Sequence, residues 1–152
     1  MKSLKELYKD HFGKVTQKWS IYFNEYEEKL KPYRNLPIKL FEIGIENGGS
    51  LEVFSKYFSK AELILGCDIN PNCKDLNYDK SNIKVITGDV NEIATIDEIT
   101  KNSKFDLILD DGSHSSVDII KCFCNYFNHL KDGGLFIIED LHCSDWEKFG
   151  GG

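Results

Sequence analysis

At 152 residues, 41% hydrophobic and 29% charged, the chain has the length of one domain with a sizeable core and the composition of a globular protein. A net charge of −6 argues against nucleic acid as the substrate, because phosphate binding needs clustered Lys and Arg. No apolar run approaches the ~20 residues of a membrane span, and Met1-Lys2-Ser3-Leu4-Lys5-Glu6 lacks a signal-peptide core.

Residues 2–13 and 20–31 read as helices. In the second, Ile21, Tyr22, Phe23, Tyr26 and Leu30 share one broad face, and Ser20 stands where a cap belongs. Lys31-Pro32-Tyr33-Arg34-Asn35-Leu36-Pro37 ends that helix. Residues 1–37 are thus expected to be a helical extension that packs on the sheet edge, acts as a lid or serves as a homo-oligomer contact. Strands are expected at 38–43, 63–68, 83–87, 105–110 and 135–139. Helices are expected at 50–59, 92–101 and 115–130, with a short helical or irregular stretch at 71–78 and a turn at 131–134. Alternating strands and helices imply parallel pairing through right-handed crossovers. The fold class is therefore α/β, a doubly wound Rossmann-like sheet over residues 38–152. The run Trp146-Glu147-Lys148-Phe149-Gly150-Gly151-Gly152, so soon after the fifth strand, reads as the end of a fragment or of one domain of a longer protein.

Five cysteines, Cys67, Cys73, Cys122, Cys124 and Cys143, form no C-x-x-C pair and no zinc-ribbon spacing. They read as reduced thiols of a cytoplasmic protein.

The first strand runs into Gly44-Ile45-Glu46-Asn47-Gly48-Gly49-Ser50, a glycine turn with Ser50 placed to cap the next helix. In a doubly wound sheet this turn is where a nucleotide-like cofactor lies. A G-x-G-x-x-G pattern laid on Gly44 and Gly49 puts Glu46 at its middle position, and Glu42 borders the same turn. Two carboxylates there would repel a pyrophosphate, the usual guest of such a turn. They suit a cationic ligand without phosphate, such as S-adenosylmethionine with its ammonium and sulfonium. Solvated acids on an ordinary α/β turn are the plainer alternative.

Acids also close the second, fourth and fifth strands. Asp68 follows Gly44 by about two dozen residues, a spacing that fits a carboxylate accepting from a ribose diol; capping the turn through Asn70-Pro71 is its plainer role. Asp89 is placed either to reach an adenine amino group or to cap helix 92–101. Strands four and five, as neighbours ~4.8 Å apart, would bring Asp111, Glu139 and Asp140 together. Three carboxylates in so small a volume need a counter-cation, and oxygen ligation favours Mg²⁺, then Mn²⁺ or Ca²⁺. His114, three residues past Asp111, is placed to act as a general base, while His142 has no assigned role.

Phe41-Glu42-Ile43-Gly44-Ile45-Glu46-Asn47-Gly48-Gly49-Ser50-Leu51, Gly66-Cys67-Asp68-Ile69, Leu107-Ile108-Leu109-Asp110-Asp111-Gly112-Ser113-His114 and Gly133-Gly134-Leu135-Phe136-Ile137-Ile138-Glu139-Asp140-Leu141-His142 together carry a resemblance. The chain resembles class I S-adenosylmethionine-dependent methyltransferases, most of all the metal-dependent sugar O-methyltransferases of the macrocin and mycinamicin type. The resemblance implies that Glu42, Gly44, Gly48, Ser50, Asp68, Asp89 and Asp110 contact S-adenosylmethionine. It implies that Asp111, Glu139 and Asp140 hold Mg²⁺ or Mn²⁺, that His114 is the base, and that the substrate is a small molecule or glycan bearing a sugar hydroxyl. Two departures stand out: the family's last two strands are missing, and Cys143-Ser144-Asp145-Trp146 replaces its usual T-S-Y-W. The rival readings are a NAD-type Rossmann enzyme and a cofactor-binding domain without independent catalysis. A carboxylate-ligated hydroxylase is more distant, since its iron site needs two histidines.

Overall fold

Five apolar runs form one parallel sheet in the computed structural model, which describes residues 1–101 and 104–151. The strands are β1 (Lys39–Ile43), β2 (Leu63–Asp68), β3 (Ile83–Thr87), β4 (Phe105–Asp110) and β5 (Leu130–Ile138), in the order β3-β2-β1-β4-β5. The helices are α1 (Leu4–Lys9), α2 (Tyr22–Leu30), α3 (Gly49–Tyr57), α4 (Ile93–Thr100) and α5 (Ser116–Tyr126). This is the doubly wound arrangement expected. The winding reverses between β1 and β4, so the crevice beyond their C-terminal ends is the natural ligand position.

Both faces of the sheet are covered, which is why its strands are apolar throughout. On one face Leu40, Ile64, Leu107 and Leu109 pack with Leu51, Phe54 and Tyr57 of α3 and with Leu4, Tyr26 and Leu30 of α1 and α2. On the other, Phe41, Leu65, Phe105 and Ile108 pack with Ile99 of α4 and with Cys122 and Tyr126 of α5.

The N-terminal helices are shorter than the periodicity suggests. Ser3 and Glu6 form a capping box that starts α1, which already ends at Lys9. Residues 11–19 then run as a strap without regular structure. Ser20 does not cap α2, whose N-cap is Ile21 with no side-chain bond. The residues expected to turn at 131–134 lie inside β5: Phe105 pairs with Leu130 but Leu107 with Leu135, so β5 carries a bulge there. Tyr33 secures this bulge by donating to the Gly133 carbonyl at 2.5 Å. All five cysteines are free thiols, four of them buried. No helix among the described residues is long and apolar enough to cross a membrane. Gly152, the last residue of the glycine-rich end, lies outside the described residues.

Candidate active site

The turn after β1 is held by backbone contacts that only glycine permits. Gly44 has φ +78°, and a Cβ there would lie 2.2 Å from the Asp111 carbonyl oxygen. Asp68, at the end of β2, fixes the turn from the other side. Its Oδ2 accepts from the amides of Ile45 (2.9 Å) and Glu46 (2.7 Å), and its Oδ1 from that of Asn70 (2.8 Å). Gly48 is the left-handed N-cap of α3. Ser50 therefore lies inside the helix rather than capping it, and its hydroxyl donates to Glu42 Oε2 at 2.7 Å. Glu42 is 1% exposed. Burial pushes its pKa up to about 8, against the downward pull of Lys18 and Ser50.

A cavity of about 520 Å³ opens over this turn, at the switch point of the sheet. Glu42, Glu46, Asp68, Asp89, Asp110, Asp111 and Asp118 line it, against one lysine, Lys18. Asp89 does not cap α4, whose N-cap is Glu92; it accepts from the Asn91 amide at 2.8 Å and faces the cavity. Asp110 Oδ1 accepts from the Gly112 amide at 3.2 Å. Its Oδ2 is buried with no hydrogen-bond partner among the described residues, the Cys122 thiol adding only a weak polar interaction. Burial pushes the Asp110 pKa up to about 6.

The β4–β5 pairing carries Asp111, Glu139 and Asp140 to one rim, where the Glu139 amide donates to the Asp110 carbonyl at 2.9 Å. A second cavity of about 290 Å³ lies among them, walled by Gln17, Lys18 and Trp19. The Lys18 ammonium, its side chain only 3% exposed, contacts Asp111 Oδ2 at 2.9 Å and also bonds Glu139 Oε1. Burial alone would lower the Lys18 pKa, but the surrounding acids, Glu139 foremost, drive it up. Burial raises that of Glu139. Tyr26 donates to Glu139 as well, and Tyr22 donates to Asp140 Oδ1 at 2.6 Å while accepting from the Asp140 amide at 3.1 Å.

His114 Nε2 stands 3.9 Å from Asp111 Oδ1 and 3.7 Å from Asp140 Oδ2, too far to hydrogen-bond either. One ligand atom from each of Asp111, His114 and Asp140 lies within 4.8 Å of the others, a grouping able to hold a metal ion. Glu139, expected in the ligand set, is engaged by Lys18 and Tyr26. His142 is exposed, with Nδ1 4.0 Å from Asp140 Oδ1, between the rings of Trp19 and Trp146.

A family model described as a methyltransferase domain matches residues 41–141. The chain belongs to this methyltransferase family. The domain is 33% identical over 134 residues to mycinamicin VI 2''-O-methyltransferase of Micromonospora griseorubida, covering 83% of this chain and 33% of that protein. It is 32% identical over 148 residues to demethylmacrocin O-methyltransferase of Streptomyces fradiae, covering 90% of this chain and 36% of that one. Among solved structures, MycE methyltransferase from the mycinamycin biosynthetic pathway, in complex with Mg and SAH, superposes with a TM-score of 0.85 at 30% identity. That match covers 99% of this chain and 42% of MycE. The chain thus spans about a third of the length of the curated relatives it matches.

Two features of the methyltransferase domain escape a reading of its sequence. Glu46, His114 and Asp140 are its non-glycine residues with positive φ among those described, at 48°, 55° and 54°; the first two border the larger cavity and Asp140 the smaller. Left-handed backbone at such residues is strained, and it collects at functional sites. The second feature is the set Lys18, Tyr22 and Tyr26, which precede residues 41–141 yet touch the acids directly. The two tyrosines sit four apart on the face that sequence marks as apolar; nothing in the sequence marks Lys18.

Proposed function

We propose that this methyltransferase domain takes part in methyl transfer from S-adenosylmethionine to a hydroxyl of a sugar or glycoside, with Mg²⁺ or Mn²⁺ as the metal. The observation that carries the reading is the pair of adjoining acid-lined cavities that share Asp111 and Lys18. The larger lies within the size range of small-molecule sites, and its carboxylates suit a ligand with ammonium and sulfonium groups while disfavouring a phosphate. The buried Asp110 oxygen, with only the Cys122 thiol as a weak polar neighbour, supports a ligand in the same place. In this reading Glu42, Gly44, Gly48, Ser50, Asp68, Asp89 and Asp110 line the methyl donor.

The donor chemistry of the second cavity fits a hard divalent cation, which prefers carboxylate oxygen. Asp111, Glu139 and Asp140 would hold it, leaving His114 as the base. Bound there, such an ion lowers the pKa of an acceptor hydroxyl and fixes its direction. His114 takes the hydroxyl proton as the oxygen–carbon bond forms; the carbon–sulfur bond breaks and its electron pair stays on sulfur. The protein's own contribution is to hold the two reactants in line and keep the proton acceptor within reach. The complexes of MycE with Mg and SAH, and with mycinamycin VI in addition, support a sugar-bearing acceptor for this chain.

Isothermal titration with S-adenosylhomocysteine, with and without MgCl₂, is the direct test, and binding in the micromolar range is expected. A chain that binds NAD in preference would end the proposal. His114→Ala should retain S-adenosylhomocysteine and Mg²⁺ binding and lose methyl transfer by at least ~100-fold; loss of Mg²⁺ binding instead would make His114 a ligand. A second reading follows from the chain's spanning a third of its relatives: a donor-binding domain that needs the rest of a longer protein to act. Cofactor binding without turnover on any sugar acceptor would favour it.

A further inference from the structure

We propose that Lys18 and the divalent cation are alternative occupants of the Asp111–Glu139 carboxylate pair, so that metal binding withdraws the strap at residues 15–19 from between the two cavities. The inference rests on the metal reading above and adds a positioning residue to it.

Lys18 supplies the positive charge that these acids need. Its ammonium bridges Asp111 Oδ2 and Glu139 Oε1, and both the Lys18 and Glu139 side chains are 3% exposed. Mg²⁺ requires carboxylate oxygens at roughly 2.0–2.1 Å. An ion at that distance from the two oxygens that Lys18 now holds takes the place of the ammonium, because two positive charges so close together repel. Asp140 lies outside the contest: Tyr22 binds one of its oxygens, and Oδ2 faces His114. An incoming ion therefore has a first foothold on Asp140 before Lys18 leaves.

The strap is built to respond. At its N-terminal end the Lys14 amide donates to Glu52 at 3.0 Å, the Lys14 ammonium reaches the Asn77 carbonyl at 2.6 Å, and the Lys14 and Val15 carbonyls lie against Gly49. At its far end Tyr22 is tied to Asp140. Between these anchors residues 15–18 form no regular structure and line the donor cavity, and Gln17 and Lys18 also line the second cavity. Release of Lys18 thus frees a short ribbon tethered at both ends, and the wall it forms between the donor and acceptor spaces opens.

Trypsin reads the state of Lys18 directly, since cleavage of the Lys18–Trp19 bond requires that side chain to enter the protease. In calcium-free buffer, saturating MgCl₂ should speed cleavage after Lys18 at least about tenfold, measured by mass spectrometry against cleavage after Lys14. In parallel, Lys18→Met should bind Mg²⁺ at least about tenfold more tightly than the unaltered chain by isothermal titration, because the competing cation is gone. Mg²⁺ binding of equal or weaker affinity in Lys18→Met, or cleavage after Lys18 that Mg²⁺ leaves unchanged or slows, overturns the exchange while leaving the metal site standing. Failure of Mg²⁺ to bind either chain overturns both. The proteolysis arm needs no substitution, so a poorly folded variant does not blunt the test.

Discussion

Glu42 is a carboxyl group at the end of β1 with almost no water around it, and Ser50 is its hydrogen-bond donor. Its folded-state pKa of about 8 stands above the ordinary 4.5, so between those values the folded chain holds a proton that the unfolded chain has lost. By linkage this contribution is complete below pH 4.5 and is lost as pH rises to about 8. Glu42→Gln keeps the acceptor for Ser50 and removes the charge. The variant should match the parent near pH 4.5 and exceed it at pH 9 by up to ~5 kcal/mol, read as a gap in Tm of ~10 °C or more that widens with pH. A gap that stays constant across that range would mean Glu42 is not the titrating group. Gly44 makes a different demand, for space and for a left-handed backbone together. Gly44→Ala should cost ~2 kcal/mol or more in urea unfolding and weaken S-adenosylhomocysteine binding, since the Asp111 carbonyl must move with it.

At the level of elements, α2 does more than cover hydrophobic surface. Tyr22 and Tyr26, one turn apart, hold the two acids that follow β5. Tyr26→Phe should destabilise by ~1–3 kcal/mol, and a double-mutant cycle with Glu139→Gln should give a coupling above ~0.5 kcal/mol. Additive effects would sever α2 from the acid site. The strands were legible because fully buried parallel strands are apolar on both faces, and the acids at their ends could be placed once the order was inferred. The convergence of Asp111, Glu139 and Asp140 followed from β4 and β5 being neighbours. The role of α2 was not legible, because a stripe of aromatics looks the same whether it packs on leucines or donates to carboxylates. Lys18 lies in a strap with no periodicity to read. The bulge in β5 was hidden too, since Lys131-Asp132-Gly133-Gly134 has the composition of a turn wherever it falls.

Across the whole molecule, a net charge of −6 and a rim where acids converge make the folded state a ready receptor for cations. A ligand bound only by the folded form at a hundred times its Kd adds about 2.7 kcal/mol to stability. MgCl₂ and S-adenosylhomocysteine should therefore each raise Tm, their effects adding or exceeding the sum, while NaCl of equal ionic strength does neither. Asp140→Asn should abolish the Mg²⁺ increment and leave that of S-adenosylhomocysteine. The left-handed conformations of Glu46, His114 and Asp140 bear on how such a protein is improved. Glycine at any of the three relieves the backbone, so a selection for heat resistance alone would drift toward glycine at these places. It would yield a hardier chain stripped of the two acids and the imidazole that border the cavities, and a library meant to test the proposed activity must hold those three codons fixed.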